Sequence, residues 1–339
     1  MKKVLITGIT GQDGSYLAEF LLDKEYEVIG IKRRSSTNTL GRLKDIMDNP
    51  LFTVVEGDIV DPSSINQLVA EYQPQEIYNM AAQSHVHTSF QQPLYTFQVN
   101  ALGVIHVLEA VRNYSPKTKV LQASTSELFG SNYSIDCSTN TKYQDEHTSF
   151  SPNSPYAVSK LAAHELIRLY RDAYGIFSCA AVSFNHESAR RGEEFVTRKI
   201  TRWIGRFVES GFDKKFPPLY LGNLDAIRDW SHAKDMMRGM WMMLQQDEPK
   251  DYVLCSGVGY SIKAFLDVAF SYVGINDWTS YIVVDPKFYR PCEVEFLQGR
   301  YDLIKQELGW EPKISFISLV TEMVDYDVKL AKQERIIHE

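Results

Sequence analysis

The first half of the chain alternates short apolar runs with longer stretches in which apolar residues recur every three or four positions. "KVLITG" (3–8), "YEVIGIK" (26–32), "LFTVVEGD" (51–58), "EIYNMAA" (76–82) and "KVLQAS" (119–124) are short, rich in β-branched residues and apolar on both faces. That is the pattern of strands buried on both sides. Between them, residues 13–24, 62–73 and about 94–114 carry Leu, Ala, Val and Ile at helical spacing. Helical spacing returns over 155–174, before another strand, "FSCAAVSFN" (177–185). Strands alternating with helices in this way predict an α/β fold with a parallel sheet covered on both faces. The second half is less regular. It holds a loop, "GFDKKFPPLYLGN" (211–223), a helical segment around 231–246, a strand, "DYVLCSG" (251–257), and a late segment, "FYRPCEVEFLQGR" (288–300). This predicts a smaller, mixed α/β C-terminal domain. The expected division is 1–180 and 181–339, with a segment near 227–258 returning to the first domain. The charged tail after about 328 is expected to be peripheral.

Composition narrows the class. The 339 residues carry a net charge of −7, with 44% hydrophobic and 23% charged residues. This is an ordinary globular balance, and it argues against general nucleic-acid binding, which prefers a basic face. The four cysteines, Cys137, Cys179, Cys255 and Cys292, form no C-x-x-C pair. They read as reduced thiols of a cytoplasmic protein rather than as disulfides or a zinc site. No apolar run reads as long enough to span a membrane, and "MKKVLITG" is too short for a secretion signal.

"TGITGQDG" (7–14) follows the first strand and opens the first helix, with Gly8, Gly11 and Gly14 in the spacing T-G-x-x-G-x-x-G. Glycines are needed where a tight turn must let the backbone approach a pyrophosphate, and the helix N-terminus then supplies N–H donors. A strand, a glycine turn and a helix in that order predict a Rossmann-type, doubly wound dinucleotide domain. Discrimination between cofactors falls after the second strand. NAD sites usually place an acidic residue there, whereas this chain reads "GIKRRSS", with Arg33, Arg34 and Ser35. Guanidinium forks and a hydroxyl suit a 2′-phosphate, so the expected cofactor is NADP. Asp58 and Ile59, ending the third strand, would flank the adenine. "AAQS" (81–84) would lie along the cofactor at the fourth.

"SPYAVSK" (154–160) sets Tyr156 and Lys160 four residues apart, hence on one helix face. A tyrosine so placed can act as base toward an alcohol once a nearby ammonium and the nicotinamide charge favour its phenolate. The strand "VLQASTSELFG" (120–130) ends in Ser124, Thr125 and Ser126, with Glu127 one step on. Hydroxyls there suit alcohol oxidation; the carboxylate is an addition that such chemistry does not require. Other patterns carry less. His85 and His87 in "SHVHTS" have no carboxylate or cysteine cluster beside them, so no metal is expected. Met237, Trp241 and Leu244 of "MMRGMWMML" read as core.

The glycine turn, "STSELFG" and "SPYAVSK" resemble the extended short-chain dehydrogenase/reductase family of nucleotide-sugar enzymes. "RRSSTNT" (33–39), "FNHESARRGEEFVTRKIT" (184–201), "LYLGNLDAIRDW" (219–230) and "RPCEV" (290–294) narrow the resemblance to its GDP-mannose 4,6-dehydratase branch, from the first strand to about residue 312. The resemblance implies oxidation of the sugar at C4, water loss across C5 and C6, and return of the hydride to C6. It assigns Glu127 as the base at C5, with Thr125 hydrogen-bonding O4 beside Tyr156. Ser126 stands where dehydratases of other nucleotide sugars carry an aspartate. Thr10, Gln12 and Asp13 of the glycine turn, Ala81, Ala82 and Ser84, and also His186 and Arg191, fall on the cofactor side. Ser84, Ser126, Asn185, Val196, Lys199, Gly222, Arg228, Arg290 and Glu293 fall toward GDP-mannose or a close GDP-sugar. The implied assembly is a homo-oligomer, dimer or tetramer, in which the "RRSSTNT" loop reaches a neighbouring subunit's cofactor. Two departures stand out: His87-Thr88 beside the active site, and Ala189 where a proline is usual, which would loosen the loop that holds Arg191. Both bear on a modified sugar such as a GDP-heptose, and a reductase on the same scaffold is the alternative activity.

Overall fold

The computed structural model describes residues 1–289 and 291–338. Its first half contains β1 (Lys3–Thr7), α1 (Gln12–Leu22), β2 (Glu27–Lys32), β3 (Phe52–Glu56), α2 (Pro62–Tyr72) and β4 (Glu76–Asn79). Next come α3 (Val86–Gln91), α4 (Pro93–Phe97), a π-helical turn (Gln98–Leu102), α5 (Gly103–Tyr114), β5 (Lys119–Ala123) and the small hairpin β6 (Ser134–Ile135) and β7 (Lys142–Tyr143). The second half holds α6 (Pro155–Tyr174), β8 (Ser178–Ser183), β9 (Asn185–Glu187), α7 (Val196–Glu209), β10 (Leu219–Leu221), β11 (Ile227–His232), α8 (Ala233–Leu244) and β12 (Tyr252–Leu254). It closes with β13 (Gly259–Ser261), α9 (Ile262–Tyr272), β14 (Ile282–Val284), β15 (Phe296–Leu297), α10 (Asp302–Leu308) and α11 (Phe316–His338).

Seven strands make one sheet in the order β12-β8-β5-β4-β1-β2-β3, and every pair in it is parallel. The two-sided apolar runs require this, because alternate residues must be covered above and below. Val4, Ile6, Leu17 and Met240 belong to the core under α1 and α8, while Leu5, Ile29, Val107 and Ile167 belong to the core under α2, α5 and α6. Strand order reverses between β1 and β4, which opens a crevice at their carboxyl ends. The three-residue β12 lies at the sheet's edge beside β8, and α8 packs against α1.

The second layer is built on β11, which pairs with β9, β13 and β15, and on the pair β10 and β14. Trp230, Phe265, Phe316 and Leu319 fill its core under α7, α9 and α11. The tail departs from the peripheral one expected. It continues α11 to His338 against α7, with Ala331 buried and Glu334 2.5 Å from the buried Arg202. Charge alone reads as solvated; here it is spent on ion pairs along a helix–helix seam.

The stretch Pro93–Tyr114 also departs from expectation. Within its 22 residues an 18-residue window reaches a mean hydropathy of 1.3, long and apolar enough to cross a membrane by length and composition, but 56% of that window is buried within the fold. The stretch comprises α4, the π-turn and α5; Val99, Val104, Val107, Leu108 and Val111 lie in the core, while Leu94 and Leu102 are exposed.

Asp229 of β11 is fully buried and accepts three backbone N–H bonds, from Ser256 (2.7 Å), Gly257 (2.9 Å) and Gly299 (3.2 Å). Burial pushes its carboxyl up to about 6 in spite of these donors. The folded state therefore binds this proton more tightly than the unfolded chain, so this group makes stability fall as pH rises from 3.8 to about 6. Asp229→Asn would turn an NH₂ toward one of these donors, and we expect a loss of about 2–4 kcal/mol in denaturant titration. Full retention of stability would show that the three bonds do not hold the loops.

Candidate functional site

The crevice is a cavity of about 1170 Å³. The glycine turn forms one wall. Gly8 has φ +66°, and a Cβ there would lie 2.9 Å from Ala81 N; a Cβ on Gly14 would lie 2.5 Å from Gly8 O. Side chains are excluded, so the backbone of β1 and the N-terminus of α1 face the cavity bare. These residues fit a dinucleotide. Beneath them a buried polar chain joins the strand ends: Thr7 Oγ1 donates to Asn79 Oδ1 (2.6 Å), and Asn79 Nδ2 to Gln122 Oε1 (2.6 Å).

Of the expected dinucleotide residues, Gly8, Thr10, Gly11, Gln12, Asp13, Gly14, Arg33, Asp58, Ile59, Ala81, Ala82, Ser84, His186 and Arg191 line this cavity. Arg34 and Ser35 do not. Both are exposed on the loop after β2, where Ser35 Oγ bonds Thr37. Asp13 and His186 pair at 3.0 Å. Burial works to raise the Asp13 carboxyl, but His186 and Arg191 hold it down at about 2. Burial likewise opposes the His186 charge, and Asp13 outweighs it, raising His186. The imidazolium donates from Nδ1 to Phe184 O (2.7 Å) and from Nε2 to Asp13.

Thr125, Glu127, Tyr156 and Lys160 line the same cavity and are all buried. The start of α6 fixes the phase of the last two. Ser154 Oγ caps the helix by accepting from Ala157 N (3.0 Å), and Pro155 follows in the first turn. Thr125 hydrogen-bonds the Tyr156 hydroxyl and accepts from Glu127 N (3.3 Å). Burial pushes Tyr156 up to about 12, and Glu127 adds to it. Lys160 donates to Ala123 O (2.8 Å), and burial lowers it to about 8. Spacing on a helix face does not reveal desolvation, and desolvation dominates both groups.

Toward the second layer, Ser126, Asn185, Val196, Lys199, Gly222, Arg228 and Glu293 also line the cavity; Arg290 lies outside the described residues. Arg228 pairs with Glu293 (3.1 Å) and donates to Ile227 O (2.8 Å). Lys199 donates to Tyr220 O (2.6 Å), its ammonium 3.9 Å from the Phe288 ring centroid, and burial and Lys287 lower its pKa.

Several lining residues escaped the sequence reading. Tyr95 accepts from Arg33, and Arg42 donates to Thr10 O (3.1 Å). Lys287 and Phe288 line the cavity beside Lys199. Asn100 sits in the π-turn between α4 and α5, joining Gln83 (2.9 and 3.0 Å) to Ser159 Oγ (3.1 Å) and so tying the fourth strand's end to α6. A polar residue inside an apolar helical stretch was its available signal. His85 lines the cavity and bonds Thr88 through Nδ1 (2.7 Å).

A doubly wound parallel sheet with a second mixed layer, meeting over one cavity, is the architecture of the extended short-chain dehydrogenases and reductases. The structure superposes on the dTDP-glucose 4,6-dehydratase DesIV of Streptomyces venezuelae, solved with NAD and TYD bound, with a TM-score of 0.84, 98% of both chains covered and 23% identity. The family model described as GDP-mannose 4,6 dehydratase matches residues 5–323, and the chain belongs to that family. It is 48% identical to GDP-mannose 4,6 dehydratase 2 of Arabidopsis thaliana, covering 99% of this chain and 89% of that one. It is 46% identical to GDP-mannose 4,6-dehydratase of Vibrio cholerae serotype O1, covering 99% and 96%.

Proposed function

We propose that this protein is an NADP-dependent 4,6-dehydratase, a hydro-lyase that converts GDP-mannose to GDP-4-keto-6-deoxymannose and water. The observation that carries the reading is Glu127, a carboxylate buried on the wall that also holds Thr125 and Tyr156. Alcohol oxidation needs a base for one hydroxyl proton; a second base beside it suits a carbon-bound proton. A nicotinamide held along the glycine turn would supply the acceptor for the C4 hydride and its return at C6. Tyr156 receives the C4 hydroxyl proton while Thr125 holds O4. Glu127 takes the C5 proton, made acidic by the C4 ketone, as the C6 hydroxyl departs. Ser126 is no acid at neutral pH, so Glu127 in its protonated form is the group in place to convert that hydroxyl to water. A proton from solvent is then added at C5 once C6 is reduced, balanced by release of the one that Tyr156 took from O4, so protein and cofactor end each cycle as they began.

Lys199, Arg228 and Arg290 would meet the diphosphate, helped by the N-terminus of α7 at Val196, with Asn185 at the sugar and Gly222 and Glu293 toward the nucleoside. Arg33, backed by Arg42, favours NADP over NAD. Arg34 and Ser35, outside this chain's own cavity, are available to a neighbouring subunit. Exposed Leu94, Leu102, Val158 and Leu169 on α4 to α6 suit a second copy, giving a dimer or tetramer. A solution mass of one chain would overturn that part. Free thiols at all four cysteines suit the cytoplasm.

The test is incubation with GDP-mannose and a trace of NADP. The nucleotide sugar should lose one water with no net NADPH formed, and NAD should bind at least about tenfold more weakly than NADP. Folded, NADP-loaded protein that leaves GDP-mannose intact would overturn the activity, and tighter NAD binding would overturn the cofactor.

A further inference from the structure

Between β9 and α7 the chain turns, and the turn is held from outside itself. Arg191 N donates to Ser188 O at 3.0 Å, closing a β-turn with Ala189 and Arg190 at its centre. Three consecutive carbonyls of this segment accept from guanidinium groups. Arg198 donates to Ala189 O and, at 2.8 Å, to Arg191 O; Arg42 donates to Arg190 O at 2.9 Å. Arg198 is 5% exposed, and its grip comes from Asp327 of α11, 0% exposed. Arg198 Nε lies 3.0 and 2.8 Å from the two Asp327 oxygens and Nη2 lies 2.8 Å from Oδ1, while the Thr201 hydroxyl adds a bond of 2.6 Å. A loop without ladder partners must satisfy its carbonyls elsewhere, and charged donors do so strongly.

The turn delivers Arg191 to the cavity. Its Nε lies 3.1 Å from Glu187 Oε2, and its guanidinium lies 3.7 Å from the Phe195 ring centroid. It also acts electrostatically on Asp13, His186 and Tyr156. Within the turn, one side chain contributes a bond: Ser188 Oγ accepts from Arg190 N at 3.0 Å. Ala189 holds the second position, where a proline would preset φ.

We propose that Arg198, aligned by Asp327, is a positioning residue for Arg191, so that the C-terminal helix sets the affinity for the dinucleotide. The proposal rests on the reading of Arg191 as a cofactor-side residue. The planar fork matters more than the charge. A lysine at 198 has one nitrogen and cannot span a carboxylate and two carbonyls together.

The variants are Arg198→Lys, Ala189→Pro, their combination, Asp327→Asn, and Arg191→Met as the control on the underlying reading. NADP binding is measured calorimetrically on the full chain, alongside the thermal midpoint, KM for each substrate and kcat at saturating NADP. Arg198→Lys should weaken NADP about tenfold and leave the sugar KM and saturated kcat within about twofold. Ala189→Pro should restore most of that affinity, because the Ala189 N–H makes no hydrogen bond among the described residues and proline suits that turn position. If Arg198→Lys does not fold, Asp327→Asn carries the same expectation, smaller in size. Weakening by Arg191→Met but not by Arg198→Lys would overturn the positioning role. No effect of Arg191→Met would remove the reading beneath it. A uniform loss that Ala189→Pro does not rescue would make Arg198 a purely structural residue and overturn the proposal.

Discussion

Glu127→Gln should give a protein that folds and binds NADP normally yet dehydrates GDP-mannose at least about 10³-fold more slowly. Glutamine fills the same volume and keeps an acceptor, so the turn in which Glu127 N donates to Thr125 Oγ1 has no reason to change. What is lost is basicity, and in the proposed chemistry only the C5 proton needs it. The substitution therefore separates two accounts of the residue. As a structural carboxylate, Glu127 would lower the thermal midpoint when changed and leave turnover largely intact. As the C5 base, it would leave the midpoint alone and remove turnover. A second readout is independent of the redox steps. When the 4-keto product is supplied in deuterated water, the wild type should exchange deuterium at C5 and Glu127→Gln should not. Dehydration by the variant at the wild-type rate would sink the assignment.

The sheet was legible because its strands are buried on both faces, which leaves a short run without polar residues, such as Val4–Ile6 or Val28–Ile31, with no ambiguity of face. The glycine turn was legible for a similar reason: at Gly8 and Gly14 the backbone leaves no room for any other residue. What sequence did not carry was distance between remote segments. Tyr95 and Arg42 reach the same cavity as the glycine turn from elements that follow β2 by very different lengths of chain, while Arg34 and Ser35, adjacent in sequence to Arg33, stand outside it. Neighbours along a loop need not share a wall. The tail shows the same limit, since Asp327 looks like one more charge in a polar segment until α7 covers it. The loosened loop expected from Ala189 misses the guanidinium contacts that hold it, because those come from residues 42 and 198.

Tyr156→Phe should also reduce dehydration by at least about 10³-fold, and it should do so for a different reason. Burial holds the phenol near 12 and leaves Lys160 near 8, so in the cofactor-free site the tyrosine is protonated and its lysine only partly charged above neutrality. A base so placed becomes effective when positive charge enters beside it, which couples deprotonation of the C4 hydroxyl to an occupied nicotinamide site. Phenylalanine removes the hydroxyl that Thr125 bonds and keeps the ring, so binding of both ligands should persist. Without the C4 ketone, the C5 proton of GDP-mannose never becomes acidic, and no deuterium enters the substrate. Supplied with the 4-keto product instead, Tyr156→Phe should exchange at C5 close to the wild-type rate, because Glu127 is intact. The two variants thus give opposite results on one compound. Loss of exchange from the ketone in Tyr156→Phe would mean that the tyrosine, and not Glu127, handles the C5 proton.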